Sequence, residues 1–517
     1  MSILSGALDL IALMAFIILF CAFEHRRKQR SLHYPPGPPR LPIIGNLLDV
    51  PKVWSWLVYQ EWAKVYGDVT SMQILGQVIV VVNSYAAARD LLEKKAAIYS
   101  DRPAVPFFDL MKWSWFIVAA PYTNEWRHRR KILDRGLRPN AIVQHRPMQK
   151  QKTHDFLRRL LTRPEELRAH IEHLQGSIIM SLVYGYETQE DNDSYLKTAL
   201  DANEIGQRAM IPGNAIVNDI PFLARLPEWL PGMGFKAEAR VGERLGQKLV
   251  NRPFNFVKKS MRDGSARPSI TRESLLELEK TDTPKSEDAE RAIAEASGSL
   301  YMGKLGYFIR RMTVSAILTL FLVFVLYPEM QQRAQAEVDA VIEGQRLPDY
   351  CDRPKLPYIE ALCKEVLRWR NVAPLGVPHT VTQDDVYDGC FIPKGTIVVT
   401  NIWAILHDAR VYPEPDLFKP ERFLTADGLL RDDPILTSVF GFGKRICPGR
   451  HLVENTLFIV AASLLATYSI GKAKDVQGKD IAVEGAYTGG SISFPVDFKC
   501  SIIPRSVAAA GLIHANS

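Results

Sequence analysis

The sequence predicts a mainly α-helical fold with small β-sheets, an α+β protein, on three observations. Apolar residues recur at helical spacing over 54–66, 86–95, 288–327, 330–342, 358–369 and 452–465. β-branched runs are few and short, at 76–83 and 395–400. No Gly/Ser-rich linker and no internal repeat divides the 517 residues, so most of the chain forms one body.

Residues 3–23 are apolar, interrupted only by Ser5, Gly6 and Asp9, and long enough to cross a bilayer. The cluster Glu24, His25, Arg26, Arg27, Lys28, Gln29 and Arg30 follows, and its positive charge places that end in the cytosol. A cleaved signal peptide would carry its basic residues ahead of the apolar run, so 3–23 is expected as a retained transmembrane anchor. Residues 24–42 form a basic and Pro-rich linker, whose Pro35, Pro36, Pro38, Pro39 and Pro42 stiffen it into an extended spacer. The body is expected over 43–505, and 506–517 as a C-terminal tail.

Within the body, 54–66 and 86–95 are expected as helices, with 76–83 a strand between them. Residues 107–116 concentrate Phe107, Phe108, Leu110, Met111, Trp113, Trp115 and Phe116, which suits either core or an apolar lid over a pocket. The Pro-rich stretch 211–235, with Pro221, Phe222, Leu226, Pro227, Trp229 and Leu230, suits either a loop dipping into a bilayer interface or a buried connector. Residues 263–287 are polar and charged, and are expected as an exposed linker. The long helical pattern of 288–327 ends at Pro328.

Composition narrows the function classes. Hydrophobic residues make up 47% and aromatics 9% of the chain, as in a globular enzyme with a sizeable core. A net charge of +7 is modest for this length, and no nucleic-acid-binding module is visible. The six cysteines are scattered without CxxC spacing, which argues against a disulfide framework and a structural zinc. In a reducing compartment the sequon at Asn192, Asp193 and Ser194 is a chance match.

The chemistry is concentrated at 440–449, Phe-Gly-Phe-Gly-Lys-Arg-Ile-Cys-Pro-Gly. Cys447 follows two cations and precedes an apolar helix, surroundings that favour a thiolate. Gly441, Gly443 and Gly449 let the backbone approach a large flat partner closely. This suits a thiolate ligand to haem iron, which pushes electron density onto the metal. The pattern resembles the haem-binding signature of the cytochrome P450 family, and the resemblance runs from about Pro35 to the C-terminus. It implies a P450 fold behind one N-terminal transmembrane helix, with haem b bound through Cys447. It implies a monooxygenase that inserts one atom of O2 into a lipophilic small molecule, with electrons from NADPH through NADPH-cytochrome P450 reductase. It also implies a single-pass protein of the endoplasmic reticulum membrane, in contact with lipid and with its catalytic domain in the cytosol. The segments 374–379 and 391–395 resemble fungal members, which serve secondary metabolism or oxidise aromatic xenobiotics.

The resemblance also assigns residues. Glu365 and Arg368 stand one turn apart, and with Arg422 of Pro420-Glu-Arg-Phe423 they match the family's structural clamp. Trp126 and Arg130 share a helix face at i and i+4 and match its haem-propionate helix. Arg445 and His379 match two further propionate positions, and Phe440 opens the haem loop as a cofactor contact. Haem brings two carboxylates that need several cations when buried. Arg129, Lys131, Arg135 and Lys444 suit a basic face for an acidic flavoprotein, or a merely solvated one.

One region departs from the family. Its distal helix carries an acid and an alcohol that relay protons to iron-bound oxygen. Here 303–313 reads Gly-Lys-Leu-Gly-Tyr-Phe-Ile-Arg-Arg-Met-Thr, with Arg311 at the acid position and Met312 at the alcohol position. The segment is about six residues long in excess, which turns a helix by about 600° and separates the faces of its flanks. Thr313 is the candidate substitute alcohol. Three readings stay open: a mis-spliced transcript, an enzyme with an altered proton path, and a haem-binding P450-fold protein without monooxygenase activity. A membrane-bound interaction protein without cofactor requires the whole 440–449 match to be accidental.

Overall fold

The computed structural model describes residues 33–515 except 191, 211–214, 281–286 and 306, and leaves the side chains of 207 and 304–312 outside the described set. The anchor expected over 3–23 and the basic part of the linker up to residue 32 therefore lie outside the described residues. No single helix among the described residues is long and apolar enough to cross a membrane.

The chain opens with α1 (Ser55–Tyr66) and the hairpin β1 (Val69–Ile74) and β2 (Gln77–Val82). A helical series follows: α2 (Asn124–Leu137), α3 (Arg146–Thr162), α4 (Leu167–Tyr184), α5 (Ser194–Met210), α6 (Phe235–Arg262), α7 (Ile270–Glu279), α8 (Glu287–Leu305), α9 (Tyr307–Leu326), α10 (Pro328–Ile342) and α11 (Pro357–Trp369). Then come β3 (His379–Thr380), β4 (Asp385–Tyr387), β5 (Cys390–Ile392), β6 (Ile397–Thr400), α12 (Arg450–Thr467), β7 (Tyr468–Lys472), β8 (Cys500–Pro504) and α13 (Val507–Ala515). The mainly helical prediction holds, and Pro328 ends the long helical run as expected.

The main core is built on residues 313–325 of α9 and 455–467 of α12, which are largely apolar and buried on all sides. Helices α3, α4, α8 and α11 pack around them. The largest sheet has the order β1-β2-β6-β3, with β2 and β6 parallel and the other pairs antiparallel. Register sets His379 opposite Val398, which fixes where that imidazole enters the body.

Two segments differ from their sequence reading. Residues 263–287 are not all linker: α7 forms within them, because Ser269 caps its start and Ile270 and Leu275 bury one face. Four charged residues within ten mask that stripe in composition. The C-terminal stretch is helical too, with Ala509 and Ile513 buried in α13.

The proline spacer lies docked along β1 from Pro35 onward. The Ser71 amide donates to the Pro36 carbonyl at 2.8 Å, and the Ser71 hydroxyl donates to that of Pro35. A Cβ on Gly37 would lie 1.9 Å from the Ser71 carbonyl oxygen, so only glycine lets the two backbones approach this closely.

Candidate active site

The Cys447 amide donates to the Phe440 carbonyl at 2.8 Å, closing the loop, and α12 starts three residues later. Gly443 has a φ of 53°, and a Cβ there would lie 2.1 Å from the Leu92 carbonyl oxygen, so the loop is pressed against the 90–94 turn. Phe440 and the Cys447 thiol are half-buried, and Phe442 anchors the loop in a second apolar cluster.

Beside this loop the structure gathers positive charge. Arg445 donates from Nε to Ser100 O at 2.7 Å and from its terminal nitrogens to Ile117 O at 3.2 Å and Ala120 O at 2.9 Å. Trp126 donates from its indole to the same Ile117 carbonyl at 2.9 Å, and the Arg445 guanidinium lies 4.1 Å over its ring. His379 Nδ1 meets the Tyr99 carbonyl at 2.7 Å. A further cation, Arg102, donates to the carbonyls of Val118, Val377 and Pro378 at 2.8–2.9 Å.

Neither guanidinium hydrogen-bonds a carboxylate among the described residues. The consequence is visible in their proton affinities. Desolvation first and Arg445 second hold Arg102 well below the usual arginine value. Desolvation brings Arg445 down to about 10. Burial, then Arg102, hold His379 well below the ordinary histidine value, so it is neutral at pH 7. One carboxylate, Asp101, raises both groups without bonding either guanidinium, so the buried Arg445 and half-buried Arg102 together keep a net positive charge, which the two carboxylates of a haem fit.

Arg102 was not readable from sequence. It stands in no periodic element, and only its three carbonyl partners, drawn from segments far apart in the chain, reveal it. Arg130 shares the α2 face with Trp126 as expected, and its Nε donates to Asp134 at 2.8 Å.

The clamp is assembled as the sequence suggested. Arg368 donates to both oxygens of Glu365 at 2.7 and 2.8 Å, and Arg422 to Glu365 at 3.1 Å. Glu365 and Arg368 are fully buried, and the remaining donors reach the carbonyls of Leu406, Pro415 and Pro413. One carboxylate serves both guanidinium groups by direct hydrogen bonds, so the group braces the fold.

On the outer side of the Cys447 loop lies a cleft of about 680 Å³ lined by Arg127, Arg130, Lys131, Arg138, Lys444 and Arg450, floored by Ile446 and Pro448. Asp134 is the one carboxylate among its described lining residues. The expected basic face thus contains Lys131, Lys444 and Arg135 but not Arg129. Arg129 turns inward to Glu295 of α8 at 2.7 Å, while Arg135 is itself paired with Glu277 of α7.

Thr313 is buried in α9. The side chains of 304–312, Arg311 and Met312 among them, lie outside the described residues. Ser299 of α8 donates to Trp115 O at 2.8 Å and accepts from the Ile117 amide at 3.3 Å, so this helix is tied to the segment that holds Trp126 and Arg445. Phe107, Phe108, Met111, Trp113, Trp115 and Phe116 are all buried in the main core. In the described part of the 211–235 stretch, from 215 onward, Phe222 is 61% and Trp229 80% exposed, while Val217 and Met233 are buried, so it is seated on the body with those two aromatics at the surface.

Comparison with known proteins agrees with this geometry. A sequence model of the family described as Cytochrome P450 matches residues 35–488. Cytochrome P450 monooxygenase COX1 of Coprinopsis cinerea is 38% identical over 510 residues, 97% of each chain. Cytochrome P450 monooxygenase 98 of Postia placenta is 40% identical over 94% of each chain. Cytochrome P450 monooxygenase ple1 of Rhodocybe pseudopiperita is 37% identical over 98% of this chain and 96% of its own. These relatives are monooxygenases along their whole length, which disfavours the reading of an inert haem binder. A thiol loop, cations whose guanidinium groups bond no carboxylate among the described residues, and a directly bonded clamp, with that likeness, make the chain a haem-thiolate monooxygenase belonging to the cytochrome P450 family.

Proposed function

We propose that the protein inserts one oxygen atom from O2 into a lipophilic small molecule, a secondary metabolite or an aromatic xenobiotic, at the endoplasmic reticulum membrane. Electrons come from NADPH through NADPH-cytochrome P450 reductase. The observation that carries the reading is the pair of Arg445, buried, and Arg102, half-buried, whose guanidinium groups bond only backbone carbonyls among the described residues.

Haem b, when bound, supplies the activation of O2. The chain's own residues do the rest. Cys447 Sγ ligates the iron, Arg102, Arg445 and His379 hold the propionates, and Trp126 packs against Arg445. The basic cleft over Ile446 and Pro448 receives the acidic face of the reductase. Thr313 Oγ1 holds a proton for the distal side. The exposed Phe222 and Trp229 rest in lipid, with the anchor at 3–23 holding the body at the membrane.

The test is the absorption spectrum of the reduced, CO-bound protein, followed by NADPH consumption against product formation. A Soret band at the thiolate position with product matching NADPH supports the reading. A thiolate band with peroxide as the only product leaves haem binding intact and overturns the monooxygenase reading of this chain as written.

A further inference from the structure

A second cleft, of about 330 Å³, opens where the start of α3 meets the 350–360 segment and the turn at 429–430. It is lined by Arg146, Tyr350, Arg353, Glu360, Leu429 and Leu430. Its volume is at the lower end for small-molecule sites.

Its charges are unequally provided for. Arg353 is saturated: Glu360 takes two of its donors at 2.6 and 2.7 Å, and Asn455 Oδ1 takes another at 2.9 Å. Arg146 has no carboxylate and no hydrogen-bond acceptor among the described residues. Its guanidinium lies 5.0 Å over the Tyr350 ring, and its Nε is buried without a partner. Asn455 of α12 is 4% exposed, and with its Oδ1 committed to Arg353 its Nδ2 is also buried without an acceptor.

The buried Nε of Arg146, in the wall of the cleft, therefore has nothing to receive it, and behind Arg353 the buried Asn455 Nδ2 has no acceptor among the described residues either. Buried donors are nearly always satisfied, and the missing element is an acceptor oxygen. A planar guanidinium selects carboxylate or phosphate oxygens. Leu429 and Leu430, 61% and 40% exposed, supply an apolar wall beside it.

We propose that this cleft binds a small oxyanion, a carboxylate or a phosphate monoester carrying a short apolar group, with Arg146 as its anchor. The site shares no lining residue with the basic cleft over Ile446 and Pro448.

The test is isothermal titration of the haem-loaded protein with butyrate, n-butyl phosphate and inorganic phosphate, each against chloride at equal ionic strength. Saturable binding of butyrate or butyl phosphate is expected, and the tighter of the two identifies the headgroup. Arg146→Gln weakens it at least tenfold, and Arg146→Lys, which keeps the charge but not the Nε donor, at least threefold. Arg240→Gln, which removes an exposed arginine paired with Glu228 on α6, leaves it unchanged. The same affinity in Arg146→Gln, or no saturable heat with any ligand, overturns the site and leaves water as the acceptor. Equal affinity for inorganic and butyl phosphate overturns the apolar wall.

Discussion

Two groups of buried arginines occupy this molecule, and they are opposites. Around Glu365 the carboxylate faces Arg368 and Arg422, and the leftover donors end on carbonyls. Around Arg445 and Arg102 the donors also end on carbonyls, but no carboxylate bonds either guanidinium among the described residues. The first group is closed by direct contact: one carboxylate bonds both guanidinium groups. The second is open: its one nearby carboxylate, Asp101, bonds neither guanidinium, and the positive charge left over describes the ligand it serves. Burial alone therefore does not separate a structural arginine from a binding one; the location of the counter-charge does.

That contrast predicts opposite signs on substitution. Glu365→Ala strands Arg368 in the core and is expected to cost about 3–5 kcal/mol, read as loss of folded, haem-loaded protein in urea unfolding. Arg445→Leu removes a cation that the haem-free protein accommodates poorly. The haem-free form should be as stable as the parent or more so, while haem is retained at least tenfold more weakly. A fall in haem-free stability matching that of Glu365→Ala would erase the distinction.

Acid sensitivity sharpens it. His379 belongs to the open group, and His407, pushed down to about 3 by burial and then by Arg368, belongs to the closed one. Both are depressed below the unfolded histidine value of about 6.5, so the unfolded chain binds more protons below that pH. Stability then falls as pH drops through 6.5, by about 1.4 kcal/mol per pH unit for each group. Haem propionates beside His379 restore its proton affinity, so its share disappears on haem loading while that of His407 persists. Unfolding curves of His379→Gln and His407→Gln between pH 4 and 7, with and without haem, measure this.

The smallest effect belongs to the edge of the closed group. Arg422→Lys keeps the charge near Glu365 but loses the fork that also reaches the Pro413 and Glu414 carbonyls, at about 1 kcal/mol in thermal unfolding. On the distal side, Thr313→Ala is expected to move NADPH consumption from product to peroxide with the CO spectrum unchanged.

Legibility followed range. Helices α1, α10, α11 and α12 were readable because one stretch of sequence carries their whole apolar pattern. Helix α7 was not, since two buried apolar residues among four charged ones are a weak signal that packing against α2 and α8 reinforces. Arg129 looked like the surface neighbour of Lys131 and Arg135. Its inward turn depends on Glu295, more than one hundred and sixty residues away (295 − 129 = 166).

By itself the sequence determined the thiolate loop, the clamp triad and the mainly helical class, because each is a local spacing or a short motif. Only the tertiary structure decided where charge is left uncompensated. Arg102, Arg445 and His379 come from three separate segments and meet only through the carbonyls of Tyr99, Ser100, Val118, Ile117 and Val377. Whether a buried cation has a counter-ion depends on what the fold brings within bonding distance, and no single stretch of sequence holds that information.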